Sequence, residues 1–440
     1  MIYHRDPNAT ATPDSSASDE ARYDAQVLRD LPRNFAANLA HGMLGMTGFR
    51  LMSAPTFVPA YIYMLSGSKL AVGLALGAQF LGMTLSSIWG ATLIEHRNQV
   101  MRVVYAVGWL MRLQILGLAL SAFVLSGSWA LGAACVFLAL FGFFGGVQGV
   151  TFNVLMSKVI PVTQRGRLTG MRNFLGGLTA SGVAYLGGEY LVGSNAFGNG
   201  YASTFMLAFI LTSIGISALA FVREPKSLTV RASPSRFMQR LADVPGLLRA
   251  DPHYRRFFFA RALAALGTSA VPFYILHAGQ FVRLSGATLG YFSLAFLLSQ
   301  MISNLAWGRI ADRHGYRLVF ILGVCMWCCA TLLLVLGGSL PLFLLAFCGL
   351  GAGFGGYQVA AQNFVLEFGK AHELPMLIAI SDTASHLMMA IGPLVGGIIA
   401  TQLGYAPIFW MALAFKTLAL AMVLRIEEPR HRQRAGMRAC

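Results

Sequence analysis

Charge is scarce in this chain: Asp, Glu, Lys and Arg make up 11% of 440 residues, while 56% are hydrophobic. Soluble domains, of which this length would suggest about three, need more polar surface than that, which argues against a soluble enzyme. Acid is scarcer still, at 17 residues against 33 basic ones. Catalytic spacing signatures are missing, with no HExxH, no GxSxG in a suitable context, no GxxxxGK and no CxxCH, which argues against an enzyme and against a nucleotide site. Disulfide pairing is not in prospect: Cys135, Cys325, Cys328, Cys329 and Cys348 lie in apolar runs and Cys440 ends the chain. The CxxCC cluster at Cys325, Cys328 and Cys329 lacks the charge compensation that thiolates in hydrocarbon need, so no metal and no cofactor is expected. The first 33 residues carry no apolar core, so no cleavable signal peptide is read, and the tail is expected to be disordered.

Long apolar runs are what the chain has instead. The mean hydropathy is +0.63, and it comes from runs of about twenty residues, each long enough to cross a bilayer core of roughly 30 Å. The pattern predicts an all-α integral membrane protein with twelve transmembrane helices. Six are read at Phe35 to Tyr63, Leu70 to Ile94, Val103 to Leu125, Ala130 to Met156, Asn173 to Val192 and Ala202 to Val222. Six more follow at Phe257 to Leu276, Ala287 to Ile310, Leu318 to Leu336, Leu340 to Leu366, Leu377 to Thr401 and Pro407 to Leu424. An even number puts both tails on one side. Lys and Arg crowd the loops of that side, and only Lys69 and Arg283 fall in the loops of the other. This positive-inside asymmetry predicts a multi-pass protein of the inner, cytoplasmic membrane with both termini cytoplasmic. It also accounts for the net charge of +16 without nucleic acid, since no basic stretch is interleaved with exposed aromatics.

The order of the parts is then a tail over 1–34, a six-helix half over 35–222, a cytoplasmic linker over 223–256, a second six-helix half over 257–424 and a basic tail over 425–440. The linker carries eight Lys or Arg together with Pro225, Pro234, Pro245 and Pro252. The two halves echo each other. Trp89-Gly90 recurs as Trp307-Gly308, Trp109 as Trp327, Gln148 and Asn153 as Gln358 and Asn363, and Glu224-Pro225 as Glu428-Pro429. Pseudo-symmetric halves around a central cavity, with a site near the midplane, are a recurring transporter plan.

The segment Gly308-Arg309-Ile310-Ala311-Asp312-Arg313-His314-Gly315-Tyr316-Arg317 resembles the GxxxDRxGR signature of the major facilitator superfamily. With Pro161 and Arg165-Gly166-Arg167 after span four, the resemblance covers Phe35 to Pro429. It implies that Gly308, Arg309, Asp312, Arg313, Gly315 and Arg317 form a gating loop that exchanges salt bridges with helix ends; the alternative is a merely topological basic loop. The matching first-half loop is degraded to Gly90-Ala91-Thr92-Leu93-Ile94-Glu95-His96-Arg97, where Glu95 stands in for the missing aspartate. Drug exporters of that family carry an arginine where this chain has Gly145, and a GPxxGG in span five. Here GPxxGG is in span eleven, at Gly392 to Gly397, which weakens the drug-export reading.

Ionisable groups inside the membrane are costly, about 2.5–3.5 kcal/mol on insertion scales, and so mark candidate sites. Arg50 lies about 20 Å from the far end of its span, too deep to snorkel outward. Thr47, Phe57 and Tyr61 share its face by helical spacing, making a cationic, aromatic-walled patch. Arg261 sits at a similar depth in the pseudo-equivalent helix. The pair resembles the organophosphate and phosphate exchangers of the superfamily, although snorkelling from Arg261 to nearby headgroups competes. Asp382 and His386 share a helical face one turn apart and suit proton coupling; a structural pairing of Asp382 at its helix start is the bland alternative. Gln148, Asn153, Gln300, Asn304, Gln358, Gln362 and Asn363 are amides that need partners, from either substrate or neighbouring helices. Arg112 and Lys416 lie in helices outside the cavity by the resemblance, and the sequence names no partner for them.

The expected function is secondary active transport of a small solute by alternating access, with a small organic anion as solute, proton coupling and a monomeric carrier as the leading form. Export of amphipathic or hydrophobic compounds is one alternative. A non-transporting assembly or signalling protein on the same fold is another.

Overall fold

A computed structural model describes residues 13–93, 97–226, 244–368 and 374–427. Helix α1 spans Pro13–Ser53, α2 Phe57–Ser66, α3 Lys69–Thr92, α4 Met101–Val124, α5 Gly127–Val159, α6 Val162–Leu186 and α7 Gly200–Ala218. After the linker come α8 Val244–Ala250, α9 Pro252–Leu266, α10 Val271–Ala278, α11 Gly286–His314, α12 Tyr316–Leu336, α13 Leu340–Asn363, α14 Leu374–Leu403 and α15 Tyr405–Leu424. The described residues contain no strand, as expected where lipid offers the backbone no hydrogen bonds.

Two of the expected spans are broken, and at matching places in the two halves. The first divides into α1 and α2 across Ala54-Pro55-Thr56, because a proline here removes a backbone donor. The seventh divides into α9 and α10 across a 3-10 turn at Gly267–Ala270. Discontinuous helices leave backbone groups at membrane depth and are tolerated where protein or a watery cavity satisfies them.

Among the described residues, ten helices or helix pairs are long and apolar enough to cross a membrane. The remaining two crossings, α1 with α2 and α6, are diluted by Asn38, His41 and Arg50 in one and by Arg172 and a run of Gly and Thr in the other. The chain before Phe35, expected to be a disordered tail, is helical from Pro13 and continuous with the first span. Side-chain contacts anchor it. The Tyr23 hydroxyl donates to the Lys158 carbonyl, Asp30 pairs with Arg223, and Asn34 bonds both the amide and the carbonyl of Arg223.

The halves meet at the end of the bundle that carries the short hairpin loops. There α6 and the π-helical turn that follows it, Gly187–Val192, lie against α11 with glycine on glycine. A Cβ on Gly286 would stand 2.2 Å from the Gly188 carbonyl oxygen and 2.2 Å from the Gly193 nitrogen. The pseudo-symmetric seam joins α3 to α14, where a Cβ on Gly73 would stand 2.2 Å from the Pro393 carbonyl. Hydrogen bonds from Thr56 to Ser293 and from the Lys69 ammonium to the Ala400 carbonyl also cross between the halves at this end. Toward the other end of the same helices, Gly166, Gly170 and Gly308 face open space. We read the bundle as closed at its short-loop end, where these contacts cross between the halves, and as parted at the end bearing the termini.

Such close backbone approach leaves no room for a side chain. Gly286→Leu is therefore expected to force this seam apart and favour the opposite opening. Spin labels at Ser194 and Ser285, one on each half, would report a longer distance; an unchanged distance would show that the seam does not hold the closed end.

Candidate functional site

Arg50 occupies the last turn of α1, immediately before the break. Its guanidinium reaches across to α6 and α11, because a Cβ on Gly177 would stand 2.7 Å from Nη1 and 2.7 Å from Cγ of Met301. Gly177 and Met301 lie midway along their helices and meet each other across the two halves. Arg50 Nη1 is buried and has no hydrogen-bond partner. One turn earlier, Thr47 bonds Thr179 at 2.5 Å and holds α1 to α6.

The shared face drawn from Arg50 through Phe57 to Tyr61 does not exist. The break at residues 54–56 resets the helical register, and Tyr61 turns into its own half, where its ring packs on Tyr201 and Phe205. Tyr61 is fully buried and its hydroxyl is unpartnered, so in this conformation it is packing, not cavity wall.

Arg261 does not stand free opposite Arg50. On α9, its Nη1 donates to Ser381 at 2.8 Å and its Nη2 forms an ion pair with Asp382, both on α14. The Tyr357 hydroxyl from α13 donates to the Arg261 carbonyl. The pair is asymmetric: the side chain of Arg261 is 7% exposed and that of Asp382 40%, so solvent reaches the acid and not the base. His386 lies one turn along α14 from Asp382, with Nδ1 buried and unpartnered. The proposed Asp382–His386 face is thus a three-residue cluster that includes Arg261.

The two cations without assigned partners turn out to lack carboxylates. Arg112 is 2% exposed and donates to the carbonyls of Thr212, 2.8 Å, and Gly108, 2.6 Å. Lys416 is fully buried; its ammonium lies 3.8 Å over the Trp327 ring and 3.4 Å from the Tyr274 hydroxyl. Each cation sits behind the broken helix of its own half. A buried charge paired with rings and a hydroxyl alone is dearer than an apolar group of the same shape. Lys416→Met is accordingly expected to raise the melting temperature in detergent; a fall would show that the ammonium is structurally required.

The amides divide by position. Gln148 is buried against Gly108 with neither amide atom partnered, whereas Asn153 on the same helix is exposed. Gln300 donates to Gln358 at 3.5 Å, and Gln358 and Gln362 present an exposed face of α13 one turn apart. Asn304 faces Gly355 with its Oδ1 unpartnered. The Asn363 amide donates to the Val359 carbonyl of its own helix.

At the parted end, Gly315 makes the turn between α11 and α12 with φ of 87°, a conformation that favours glycine. Arg317 then donates to the carbonyls of Val423 and Leu424, closing the end of α15. Arg309 and Arg313 are exposed on the last turns of α11, near Asp312, and Gly308 faces open space. Glu95 lies outside the described residues. The corresponding first-half contact is made by Glu224, whose carboxylate accepts from the amides of Val100 and Met101 at 2.8 Å each and pairs with Lys158 at 3.2 Å. Its recurrence as a Glu-Pro pair was visible in the sequence; its capping role was not.

Two further residues escaped the sequence reading, Arg172 and His41. Span five was begun at Asn173, whereas α6 starts at Val162, which carries Arg172 well inside the helix. Among the described residues no group of three or more His, Cys, Asp and Glu is arranged to hold a metal ion.

Comparison with known proteins agrees with this architecture. Residues 257–439 match the model of the Major Facilitator Superfamily. An uncharacterized protein of Mycobacterium tuberculosis is 23% identical over 90% of this chain and 78% of its own length. Multidrug resistance protein 1 of Bacillus subtilis is 25% identical over 34% of this chain and 38% of its own length. Among solved structures, a D-xylose–proton symporter superposes with a TM-score of 0.71 at 12% identity, covering 91% of this chain and 98% of that one. A nucleoside transporter superposes with a TM-score of 0.68 at 12% identity, over 89% and 98%. The second half of the chain thus matches the model of the Major Facilitator Superfamily, and the fold is shared with solved transporters along nearly the whole length of the chain.

Proposed function

We propose that this transporter carries a small organic anion across the cytoplasmic membrane together with a proton. One observation carries the reading: Arg50 places a buried, unpartnered guanidinium nitrogen between the halves, beside Gly177 and Met301. An unmet cation in a medium of low dielectric attracts an oxyanion strongly, and the guanidinium fork suits carboxylate or phosphate. With basic loops inside, the conformation described is open to the cytoplasm.

The Arg261–Asp382 pair supplies a coupling device. While Asp382 is ionised it holds Arg261. Protonation of the solvent-reached carboxyl removes that hold and frees Arg261 to face Arg50 from the other half, so an anion is gripped by both arginines only when a proton is also aboard. His386, one turn away, is placed to pass that proton. Such an exchange of partners favours a state in which both halves close on the solute. The amides of Asn153, Gln358 and Gln362 are then further contacts along the cavity wall.

The test is co-flux. Proteoliposomes loaded with a pH-sensitive dye should acidify internally when a transported anion is added outside, and the anion should accumulate only under an inward proton gradient. Anion flux with no accompanying proton would refute the coupling.

A second reading, export of amphipathic compounds, has one observation in its favour: local similarity to proteins named for multidrug resistance. Transport of neutral or cationic amphiphiles that ignores Arg50 would support it.

A further inference from the structure

We infer that Arg172 forms a second oxyanion station, lying between the parted mouth and Arg50. This rests on the reading of the solute as an anion.

Arg172 leaves α6 and lies flat across α1. A Cβ on Gly42 would stand 2.3 Å from its Nε and 2.4 Å from its Cγ, so only glycine lets the side chain take this path. Its guanidinium carbon ends 4.7 Å over the ring of Phe152 on α5. Nε is buried without a hydrogen-bond partner. The His41 ring completes the wall, 5.2 Å from the Phe152 ring, with Nδ1 donating to the Gly215 carbonyl at 3.0 Å.

Among the described residues no carboxylate is paired with this charge. The first-half acids whose side chains are described are Asp24, Asp30, Glu189 and Glu224, all outside its membrane interior, and the last three are accounted for at helix ends or at the short-loop end. One turn from Phe152 on the same helix, Gly149 is exposed and a Cβ there would meet nothing within 4 Å. The side chain is held by glycine and an aromatic face, its charge left over. A structural arginine normally ends on carbonyls or acids, as Arg112 does.

Gly42 precedes Arg50 by eight residues, about 12 Å along the helix. Arg172 thus crosses α1 about two turns before the position of Arg50, and the two stations act in succession. An anion entering at the parted end meets Arg172 on its Phe152 platform and passes inward to Arg50.

The test uses the full chain in detergent, with its melting temperature followed as inorganic phosphate or succinate is raised at constant ionic strength. Arg172→Gln should raise the concentration for half-maximal stabilisation about tenfold, the loss expected for a hydrogen bond to a charged group, and Arg172→Lys should recover part of it. Gly42→Ala keeps the charge but drives the side chain off α1, and should match Arg172→Gln; it carries the test alone should that variant not fold. Neutral succinamide should stabilise none of them, which a purely structural role would not predict. A wild-type midpoint in Arg172→Gln, with the response lost in Arg50→Gln, would overturn the second station and leave the anion reading standing. No stabilisation of the wild type by either anion would overturn both.

Discussion

Arg50→Gln is expected to lower kcat/KM for anion uptake by roughly 30- to 1,000-fold, the equivalent of about 2–4 kcal/mol for a charged contact desolvated in a site. The same substitution should leave the melting temperature unchanged or higher, because it removes a buried guanidinium nitrogen that has no partner to lose. These two readouts separate function from folding. A structural arginine would lose stability and uptake together, and unimpaired uptake would remove the anion hypothesis. Arg50→Lys should fall between, since an ammonium keeps the charge but not the planar fork.

Asp382→Asn should abolish uphill accumulation while sparing exchange of anion for anion. The amide imitates a protonated carboxyl at all pH values, so Arg261 would be permanently released and proton binding would no longer change the affinity of the cavity. Uptake by the wild type should rise as the outer pH falls, and that dependence should flatten in the variant. The structural cost is expected to stay below the 3–5 kcal/mol typical when a fully buried pair is broken, because the Asp382 side chain is 40% exposed. Full accumulation in Asp382→Asn would exclude this residue from coupling.

The architecture was legible because it depends on properties that sequence carries directly. Lipid permits helices and forbids open edges, so run length alone locates most of the spans, and the recurrence of Trp-Gly and Glu-Pro pairs gives the two halves. What escaped depends on where backbones come within contact of each other. A continuous helix would set Tyr61 beside Arg50, and the break at residues 54–56 turns it the other way. Arg261 and Arg50 looked like a pair of free cations since no spacing rule links Arg261 to Asp382, 121 positions later. Arg172 was hidden by a boundary drawn on hydropathy, which its own charge depresses. Helices that carry polar function are the ones whose spans are hardest to bound from composition.

Glycine explains a further part of this gap. The seams between the halves, at Gly73 and at Gly188 with Gly286, and the cradle at Gly42 all admit backbone or side chain within 2.2–2.5 Å of where a Cβ would be. Their GxxxG-like spacings predict close packing in general, without naming the partner.

The alternation itself is tested most directly by a structure of the protein loaded with its anion at acidic pH. The account predicts density for the anion between Arg50 and Arg261, with the Arg261–Asp382 contact broken and the parted end closed. An anion bound elsewhere, or bound while Arg261 still holds Asp382, would contradict it.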